Sequence, residues 1–150
     1  MATTNGTISW PDSVVPERTL TFLQKFFKLL DADSEEFAEA YGELFAEDAV
    51  YIMSQIPAIK GRKAIAEQRA WGWRTWPGLR HEIRQIYLGD KEGLDIISLG
   101  KFTIVPADGM LREGGSAAHF KLVDKDGQLL IHHLEIFSDP APIIDLMPKP

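Results

Sequence analysis

Apolar positions in the first half of the chain recur mainly with helical spacing. They predict one helix at about 16–30, with two adjacent apolar stripes that require cover from more than one neighbour. A second helix is predicted to begin at 33–36, where an acid pair has capping-box spacing. A third helix is predicted at about 62–76. Between the second and third helices, the pattern predicts a short strand at 49–53 and then a loop at 55–60.

In the second half of the chain, apolar and polar residues tend to alternate, which is typical of strands. Strands are predicted at 81–88, with strict alternation, and at 94–105, where Gly100 marks a bulge or a point of close approach. Residues 114–139 predict two more strands, joined by a turn at 124–127. The second half is therefore expected to form a sheet.

The order of these elements is helix, helix, strand, helix and then four strands. This order predicts an α+β fold, with helices packed on one face of a curved, mainly antiparallel sheet. The length of 150 residues predicts a single domain spanning 1–150. Residues 1–12 are polar and are expected to be loose. The proline-rich segment 140–150 is too apolar for a free linker, so it is expected to lie over the domain or over a partner subunit.

Charge and composition narrow the class of function. The formal net charge of −6 disfavours nucleic acid or an anionic membrane as a partner, because either would call for a basic patch. The absence of cysteine excludes disulfides, thiolate catalysis and cysteine-based zinc sites. No apolar run reaches the length of a membrane span, and no secretory leader is visible. These features predict a soluble, cytoplasmic protein.

Ionisable residues cluster in the predicted hairpin at 114–139. It contains His119, His132, His133 and Glu135, the last between apolar neighbours. Ionisable groups in apolar strands are exposed, paired or functional, because burying one alone is unfavourable. A histidine and a carboxylate on adjacent strands could transfer protons without a cofactor. The structural alternatives are a solvated histidine and a salt bridge to a neighbouring strand. The spacing does not support a metal site.

Several short motifs carry a resemblance to a known family. They are FAEDAV at 45–50, IKGR at 59–62, WPGLR at 76–80, the turn GD at 89–90, and IFSD at 136–139. Together the chain resembles the SnoaL-like polyketide cyclases and ketosteroid isomerases of the NTF2-like superfamily, over about residues 18–139. The resemblance implies a cone-shaped α+β fold. It leaves open whether the protein is an isomerase, a cyclase, a dehydratase, an epoxide hydrolase or a non-enzyme.

The resemblance also implies which positions would carry catalysis. The isomerase's proton-shuttling Asp and its tyrosine fall near Met53 and Phe26, which lack those functional groups. The second acid of the isomerase falls near His119, where SnoaL-like cyclases often have a histidine. A catalytic carboxylate in the last strand falls at Glu135. The resemblance therefore disfavours a steroid isomerase and favours a histidine–carboxylate site of the cyclase or dehydratase kind.

The register of the last strand decides which side chains enter the cone. Period two separates His133 and Glu135 from Leu134 and Ile136. The family comparison favours His133 and Glu135 inside, whereas apolar content alone favours Leu134 and Ile136. The first frame is preferred here. The apolar residues would then meet a partner subunit across the convex face, which predicts a homodimer.

Substrate-binding residues are expected among the side chains that would line the cone, namely Phe26, Tyr51, Met53, Trp73, Arg74, Trp76 and Phe137. Aromatic walls suit a flat hydrophobic substrate. The tryptophans could equally be core residues. Arg69 or Arg74 could anchor a carboxylate or enolate oxygen, although helix arginines are more often solvated.

Together these observations predict a cofactor-free isomerase, cyclase or dehydratase. Its substrate would be a hydrophobic, oxygenated secondary metabolite of the polyketide or meroterpenoid type. His119 would move the proton and Glu135 would orient it, while His133 or Tyr51 would stabilise a developing enolate. The alternative is a non-catalytic small-molecule-binding or dimerisation module with the same fold.

Overall fold

The computed structural model describes residues 15–53, 56–76 and 78–146. Its elements, in chain order, are α1 Glu17–Leu30, a 3-10 helix Glu35–Phe37, α2 Ala38–Gly42, β1 Phe45–Met53, β2 Ile56–Lys60, α3 Arg62–Thr75, β3 Arg80–Leu88, β4 Asp95–Ile104, β5 Arg112–Lys125, β6 Gln128–Ser138 and a 3-10 helix Ala141–Leu146. Within those described ranges, no helix is both long and apolar enough to cross a membrane. The segment 1–12, predicted to be loose, lies outside the described residues.

The six strands form one mixed sheet in the order β2-β1-β6-β5-β4-β3. β1 and β6 run parallel, and every other neighbouring pair is antiparallel. Three helices pack on this sheet, so the predicted α+β class is confirmed. The parallel pair arises because α1, α2 and β1 come first in the chain and the last strand returns beside β1.

The core lies between α1 and the inner face of the sheet. Phe22, Leu23, Phe26 and Phe27 are the buried face of α1. The ring of Phe26 meets that of Phe120 on β5 edge to face, with centroids 5.1 Å apart. Each such buried side chain contributes about 1.5–3 kcal/mol, so this contact fixes α1 across the sheet.

The second helical segment is shorter than the sequence predicts. Ser34, rather than the predicted Asp33, caps the 3-10 helix, and its hydroxyl accepts a hydrogen bond from the Glu36 backbone N–H. Asp33 adopts a positive φ of 56° and turns away from the helix. Its carboxylate accepts hydrogen bonds from the Gly78 N–H and from Arg80. Asp33 therefore joins the end of α1 to the start of β3.

The predicted loop at 55–60 is wrong where the structure describes it, because Ile56–Lys60 forms the edge strand β2. Tyr51 pairs with Ile59, and Met53 pairs with Ile56. Pro57 cannot donate a ladder hydrogen bond, but an edge strand has one side without a partner strand and tolerates it. Pro57 favoured a loop in the sequence, but proline is also tolerated in the edge strands of sheets.

A bulge interrupts the alternation along β3. Its register shifts between Ile83 and Gln85, so both Ile83 and Ile86 are buried. Opposite the bulge, Gly100 lies so close to β3 that a Cβ atom there would stand 1.9 Å from the Glu82 carbonyl oxygen. The prediction that Gly100 marks a close approach is confirmed, whereas strict alternation along β3 is wrong.

The preferred register of the last strand is also wrong. Leu134 is fully buried and Ile136 lines the inner face, whereas His133 and Glu135 lie on the outer face. The pairing of β5 with β6 steps between Lys121 and Leu122, and His132 is the extra residue. This bulge lets Ile131 and Leu134, three residues apart, both face the helices. Burial of apolar side chains therefore decided the register.

Residues 140–146 lie over the domain, one of the two placements predicted for the segment 140–150, and 147–150 fall outside the described residues. After β6 the chain forms the 3-10 helix, and Pro140 and Ile143 contact the inner cavity. Arg112 on β5 donates a hydrogen bond to the Pro142 carbonyl at 3.1 Å and forms an ion pair with Asp145. These two contacts hold the segment against the open end of the sheet.

Candidate active site

A cavity of about 100 Å³ lies between α1, α3 and the inner face of the sheet. Most of its wall is apolar. The apolar lining residues are Phe26, Phe27, Leu30, Met53, Trp76, Leu79, Ile83, Phe102, Ile104, Ala118, Leu134, Ile136, Pro140 and Ile143. A few polar side chains interrupt this wall, namely Tyr41, Tyr51, Arg69, His81, Ser98, Lys101, Ser116 and Ser138. An apolar cavity with few polar groups is typical of a small-molecule site.

One pair of polar groups at the wall has the geometry of an acid–base dyad. The Nδ1 atom of His81 lies 2.7 Å from Oδ1 of Asp31. The other carboxylate oxygen of Asp31 accepts a hydrogen bond of 2.9 Å from the His81 backbone N–H. Both side chains are largely buried, with exposures of 14% for His81 and 19% for Asp31. The carboxylate thus holds the histidine at two points.

Local structure places these two residues opposite each other. Asp31 is the C-cap residue that follows α1, and His81 is the second residue of β3. An acid at the C-terminus of a helix meets the negative end of the helix dipole, which is unfavourable. The hydrogen bonds from His81 compensate for this placement. The ring of Phe27 packs 6.1 Å from the imidazole and limits its orientation.

The partner of each ring nitrogen determines the tautomer. An ionised carboxylate only accepts hydrogen bonds, so Nδ1 of His81 carries the hydrogen that bonds Asp31. The other nitrogen, Nε2, therefore has its lone pair available in the neutral ring. Because His81 lines the cavity, its imidazole is positioned to act as a base toward a bound molecule.

Tyr41, Tyr51 and Arg69 form a second cluster of polar side chains in the cavity wall. Tyr41 and Tyr51 are buried, at 2% and 8% exposure. Burial raises the pKa of Tyr51 to about 12 and also raises the pKa of Tyr41. Both phenols are therefore neutral hydrogen-bond donors at physiological pH. Arg69 adds a positive charge to this cluster.

Four of the residues predicted to bind substrate line the cavity, namely Phe26, Tyr51, Met53 and Trp76. Trp73 lies behind the wall instead. It is buried against Tyr41, and its Nε1–H donates to the Leu30 carbonyl at 3.2 Å. Arg74 is exposed and pairs with Glu35 at 2.6 Å. Trp73 thus supports the wall, and Arg74 lies on the surface.

The predicted catalytic residues of the last hairpin lie on the outer face of the sheet. His119 forms a 2.6 Å contact with Asp95, and His133 lies 3.8 Å from Glu135. Phe137, predicted to bind substrate, is 54% exposed on the same face. Their predicted placement inside the cone is wrong, because residues of the opposite parity, such as Ala118 and Leu134, line the cavity.

Sequence reasoning missed the dyad, although two signals pointed toward it. Asp31 is an acid at the end of a predicted helix, where the dipole disfavours it. His81 is the only histidine outside the last hairpin. Its distance of 50 residues from Asp31 hid the relation between them. Among residues 15–53, 56–76 and 78–146, no three His, Asp or Glu side chains come together as metal ligands do.

Comparison with known proteins supports one family. The family model described as a SnoaL-like domain matches residues 23–130. This range includes Asp31, Tyr41, Tyr51, Arg69 and His81. No curated protein matches the sequence.

Solved structures share the fold at low identity. A candidate scytalone dehydratase from Novosphingobium aromaticivorans has a TM-score of 0.69 at 17% identity, covering 81% of this chain and 82% of that one. A candidate SnoaL-like polyketide cyclase from Jannaschia has a TM-score of 0.71 at 15% identity, covering 93% and 98%. A protein with a ketosteroid isomerase-like fold from Catenulispora acidiphila has a TM-score of 0.69 at 15% identity, covering 91% and 96%. Identities this low establish the fold alone.

Proposed function

The chain belongs to the SnoaL-like domain family, and on that premise we propose that it is a small-molecule enzyme whose proton-transfer catalyst is His81. The observation that carries this proposal is the two-point contact between Asp31 and His81 at the wall of an apolar cavity. It replaces His119 with His81 in the role of proton carrier. The predicted chemistry, general acid–base catalysis by a histidine and a carboxylate, is retained.

The first step is removal of a proton from a carbon beside a carbonyl group. Nε2 of His81 takes the proton, and the electron pair of the C–H bond moves to the carbonyl oxygen to give an enolate. The imidazolium that forms is stabilised by Asp31, which keeps the ring in place. No bound cofactor is needed for this step.

The developing oxyanion requires hydrogen-bond donors. Tyr51 and Tyr41 line the cavity and keep their protons, because burial raises the pKa of both phenols. Donors in a cavity with little water are worth more than in solution. The apolar remainder of the wall excludes water and so protects the enolate from being quenched at the wrong carbon.

The enolate can then follow one of three routes. It can expel a hydroxide from the β-carbon, with the proton on His81 completing the loss of water. It can attack a second carbonyl group in the same molecule and close a ring. It can also be reprotonated at another carbon, which is an isomerisation. We infer that the substrate is a hydrophobic, oxygenated ketone of the polyketide or meroterpenoid type, which the mainly apolar wall supports. The structural relatives called dehydratase and cyclase support the first two routes.

Exchange of hydrogen for deuterium tests the first step without knowledge of the natural substrate. α-Tetralone in heavy water would be followed by proton NMR, with and without the protein. We expect the wild-type protein to accelerate exchange beside the carbonyl, and His81→Gln to reduce that acceleration by about 100-fold. Equal rates for the two proteins would reject His81 as the base. Failure of the wild-type protein to accelerate exchange of this ketone or its β-hydroxy derivative would favour the non-catalytic binding module.

We also propose that the outer face of the sheet forms a homodimer contact. Tyr87, Ile97, Leu99 and Phe137 are exposed on this face although they are large and apolar. His119, His133 and Glu135 lie among them and would give the contact a polar component. A second copy of the chain would present the same mixture of apolar and ionisable groups, as a two-fold contact requires.

A further inference from the structure

Arg69 is the one arginine among the described residues that is buried. It lies on the inner face of α3 with Ile65, Gly72 and Trp73, and it is 9% exposed. Its Nε and Nη2 atoms are closed to water and have no hydrogen-bond partner among the described residues. A guanidinium is protonated at any physiological pH, so this is a buried positive charge.

The surroundings of Arg69 compensate for this charge only in part. The guanidinium carbon lies 4.6 Å from the ring centroid of Trp73, which is a cation–π contact. Such a contact contributes about 0.5–2 kcal/mol, less than the several kcal/mol that burial of an ion costs. Burial lowers the pKa of Arg69, and the nearby carboxylates of Asp31 and Asp33 oppose that shift.

The residues around Arg69 supply no counter-ion of their own. Within the part of the chain that the structure describes, no carboxylate lies within ion-pair distance of its guanidinium. The carboxylate of Asp31 is already paired with His81, and that of Asp33 is already paired with Arg80. Tyr41 and Tyr51 remain neutral because their pKa values are raised. The cavity wall near Arg69 therefore carries hydrogen-bond donors and a positive charge without a matching negative charge.

The two nitrogen atoms without partners form one edge of the guanidinium. Nε–H and one N–H of Nη2 point in the same direction and are spaced to meet the two oxygens of a carboxylate. A lysine ammonium would supply charge without this edge. Gly72, one turn along α3, leaves room beside the guanidinium, since a Cβ atom there would stand 3.3 Å from Nη1. Position 72 therefore places no side chain against the guanidinium, and Arg69 itself lines the cavity.

We propose that the molecule bound in this cavity carries a carboxylate group, and that Arg69 binds it by the Nε–Nη2 edge. The guanidinium turns toward the cavity when the carboxylate enters, and the two charges neutralise each other in a site with little water. This proposal rests on the proposed function only in taking the cavity as the ligand site. It deepens that function by defining the substrate class as hydrophobic ketones that also bear a carboxylate.

Isothermal titration calorimetry with matched acids and amides tests this proposal. The probes are benzoate with benzamide and naphthoate with naphthamide, because each pair differs in charge but hardly in shape. We expect the wild-type protein to bind at least one acid about tenfold or more tightly than its amide. Equal affinity for acid and amide in both pairs, or no binding of any probe at millimolar concentration, would overturn the proposal.

Variants of Arg69 test whether this residue causes the preference for acids over amides. Arg69→Met keeps the length and apolar contacts of the side chain and should lose the acid preference. Arg69→Lys keeps the charge and should retain only part of the preference, because the edge is missing. Arg84→Gln is the control, since Arg84 is exposed on β3 and should leave the preference unchanged. An acid preference that persists in Arg69→Met would show that another group binds the carboxylate.

Two further measurements separate the possible failures. Arg69→Met should melt at or above the wild-type temperature, because it removes a buried charge that has no counter-ion. A well-folded Arg69→Met protein then shows that any loss of binding is specific. His81→Gln should keep the acid preference while losing deuterium exchange. If the wild-type protein catalyses exchange without an acid preference, the dyad stands and the role of Arg69 is rejected.

Discussion

Asp31 contacts His81 through both carboxylate oxygens, one on the ring nitrogen Nδ1 and one on the backbone N–H. The backbone contact fixes the position of Asp31 relative to β3, and the ring contact fixes the tautomer of His81. Because both contacts come from one carboxylate, the orientation of the imidazole depends on where α1 ends and where β3 begins.

Replacing the carboxylate of Asp31 tests this dependence. Asp31→Asn has the same shape but no charge, and it can present its N–H₂ group to Nδ1. The histidine would then shift to the other tautomer, leaving its lone pair away from the cavity. We expect exchange of α-tetralone to fall by about 100-fold, with the melting temperature changed by only a few degrees. Unchanged exchange would show that Asp31 is structural.

The two assignments of the catalytic histidine make opposite predictions. If His81 transfers the proton, His81→Gln is inactive and His119→Gln, altered on the outer face, exchanges deuterium at close to the wild-type rate. If the sequence-based assignment were right, the result would be reversed. Both variants would be assayed with α-tetralone at one pH, with circular dichroism as the check on folding. Loss in His119→Gln alone would reject the proposed dyad.

The close approach at Gly100 predicts a large effect of one methyl group. Gly100→Ala places a Cβ atom 1.9 Å from the Glu82 carbonyl oxygen, so β3 and β4 must separate at the bulge. We expect a loss of about 1–3 kcal/mol or more in the free energy of unfolding, measured with urea. Gly115→Ala is the matched control, because nothing lies within 4 Å of its added Cβ atom. Similar effects for the two variants would contradict the close contact.

The ion pair between Asp33 and Arg80 predicts a pH-dependent stability. The hydrogen bond from Arg80 holds the pKa of Asp33 below its ordinary value. The charged form is favoured in the folded state, so the stabilisation is present at neutral pH. It is lost as the pH falls through the folded-state pKa. Asp33→Asn, which tolerates the positive φ, should be less stable by up to about 1 kcal/mol at neutral pH.

Urea unfolding at two pH values measures this effect. The difference between Asp33→Asn and the wild-type protein should shrink as the pH falls through the lowered folded-state pKa of Asp33, and should disappear once the carboxylate is protonated in both states. A difference that is the same at neutral and acidic pH would show that the charge of Asp33 is not responsible. High salt at neutral pH should reduce the difference as well, because the pair is partly exposed.

The proposed dimer is tested by mass in solution. Light scattering should give about twice the 16.8 kDa of one chain. Ile97→Asp places a charge on the outer face and should shift the protein toward the monomer, since a desolvated unpaired charge opposes association. Lys91→Asp, in the turn between β3 and β4, is the control. A wild-type monomer would reject the dimer.

The sequence predicts the fold well because its signals are local. The helix at 16–30 has two apolar stripes over 15 residues, and the structure ends α1 at the same residue, Leu30. The strands at 81–88 and 94–105 are likewise recovered within a residue or two of their observed ends. The predictions of secondary structure fail at the bulges and at the edge strand, where one extra residue or one proline breaks the local pattern.

The site is predicted less well because its geometry is not local. The bulge at His132 decides which side of β6 faces the helices, and no feature of the hairpin sequence marks it. The family comparison placed His133 inside, whereas the apolar content of the strand favoured the register that is observed. Asp31 and His81 meet only after α1 is packed on the sheet, so their spacing in sequence carries no signal. By contrast, Tyr51 and Met53 lie two residues apart on β1 and both line the cavity, a relation that depends only on the local period of a strand.

The 3-10 helix at Ala141–Leu146 gives the cavity a wall that is separate from the sheet. Pro140 and Ile143 contact the cavity but belong to none of the described strands, and Arg112 ties the segment to β5 by side-chain hydrogen bonds. Exchange of a few residues in this short segment could reshape one side of the cavity while the dyad and Arg69 stay fixed. Differences in ligand selectivity between related proteins are therefore expected to accumulate at this end of the chain.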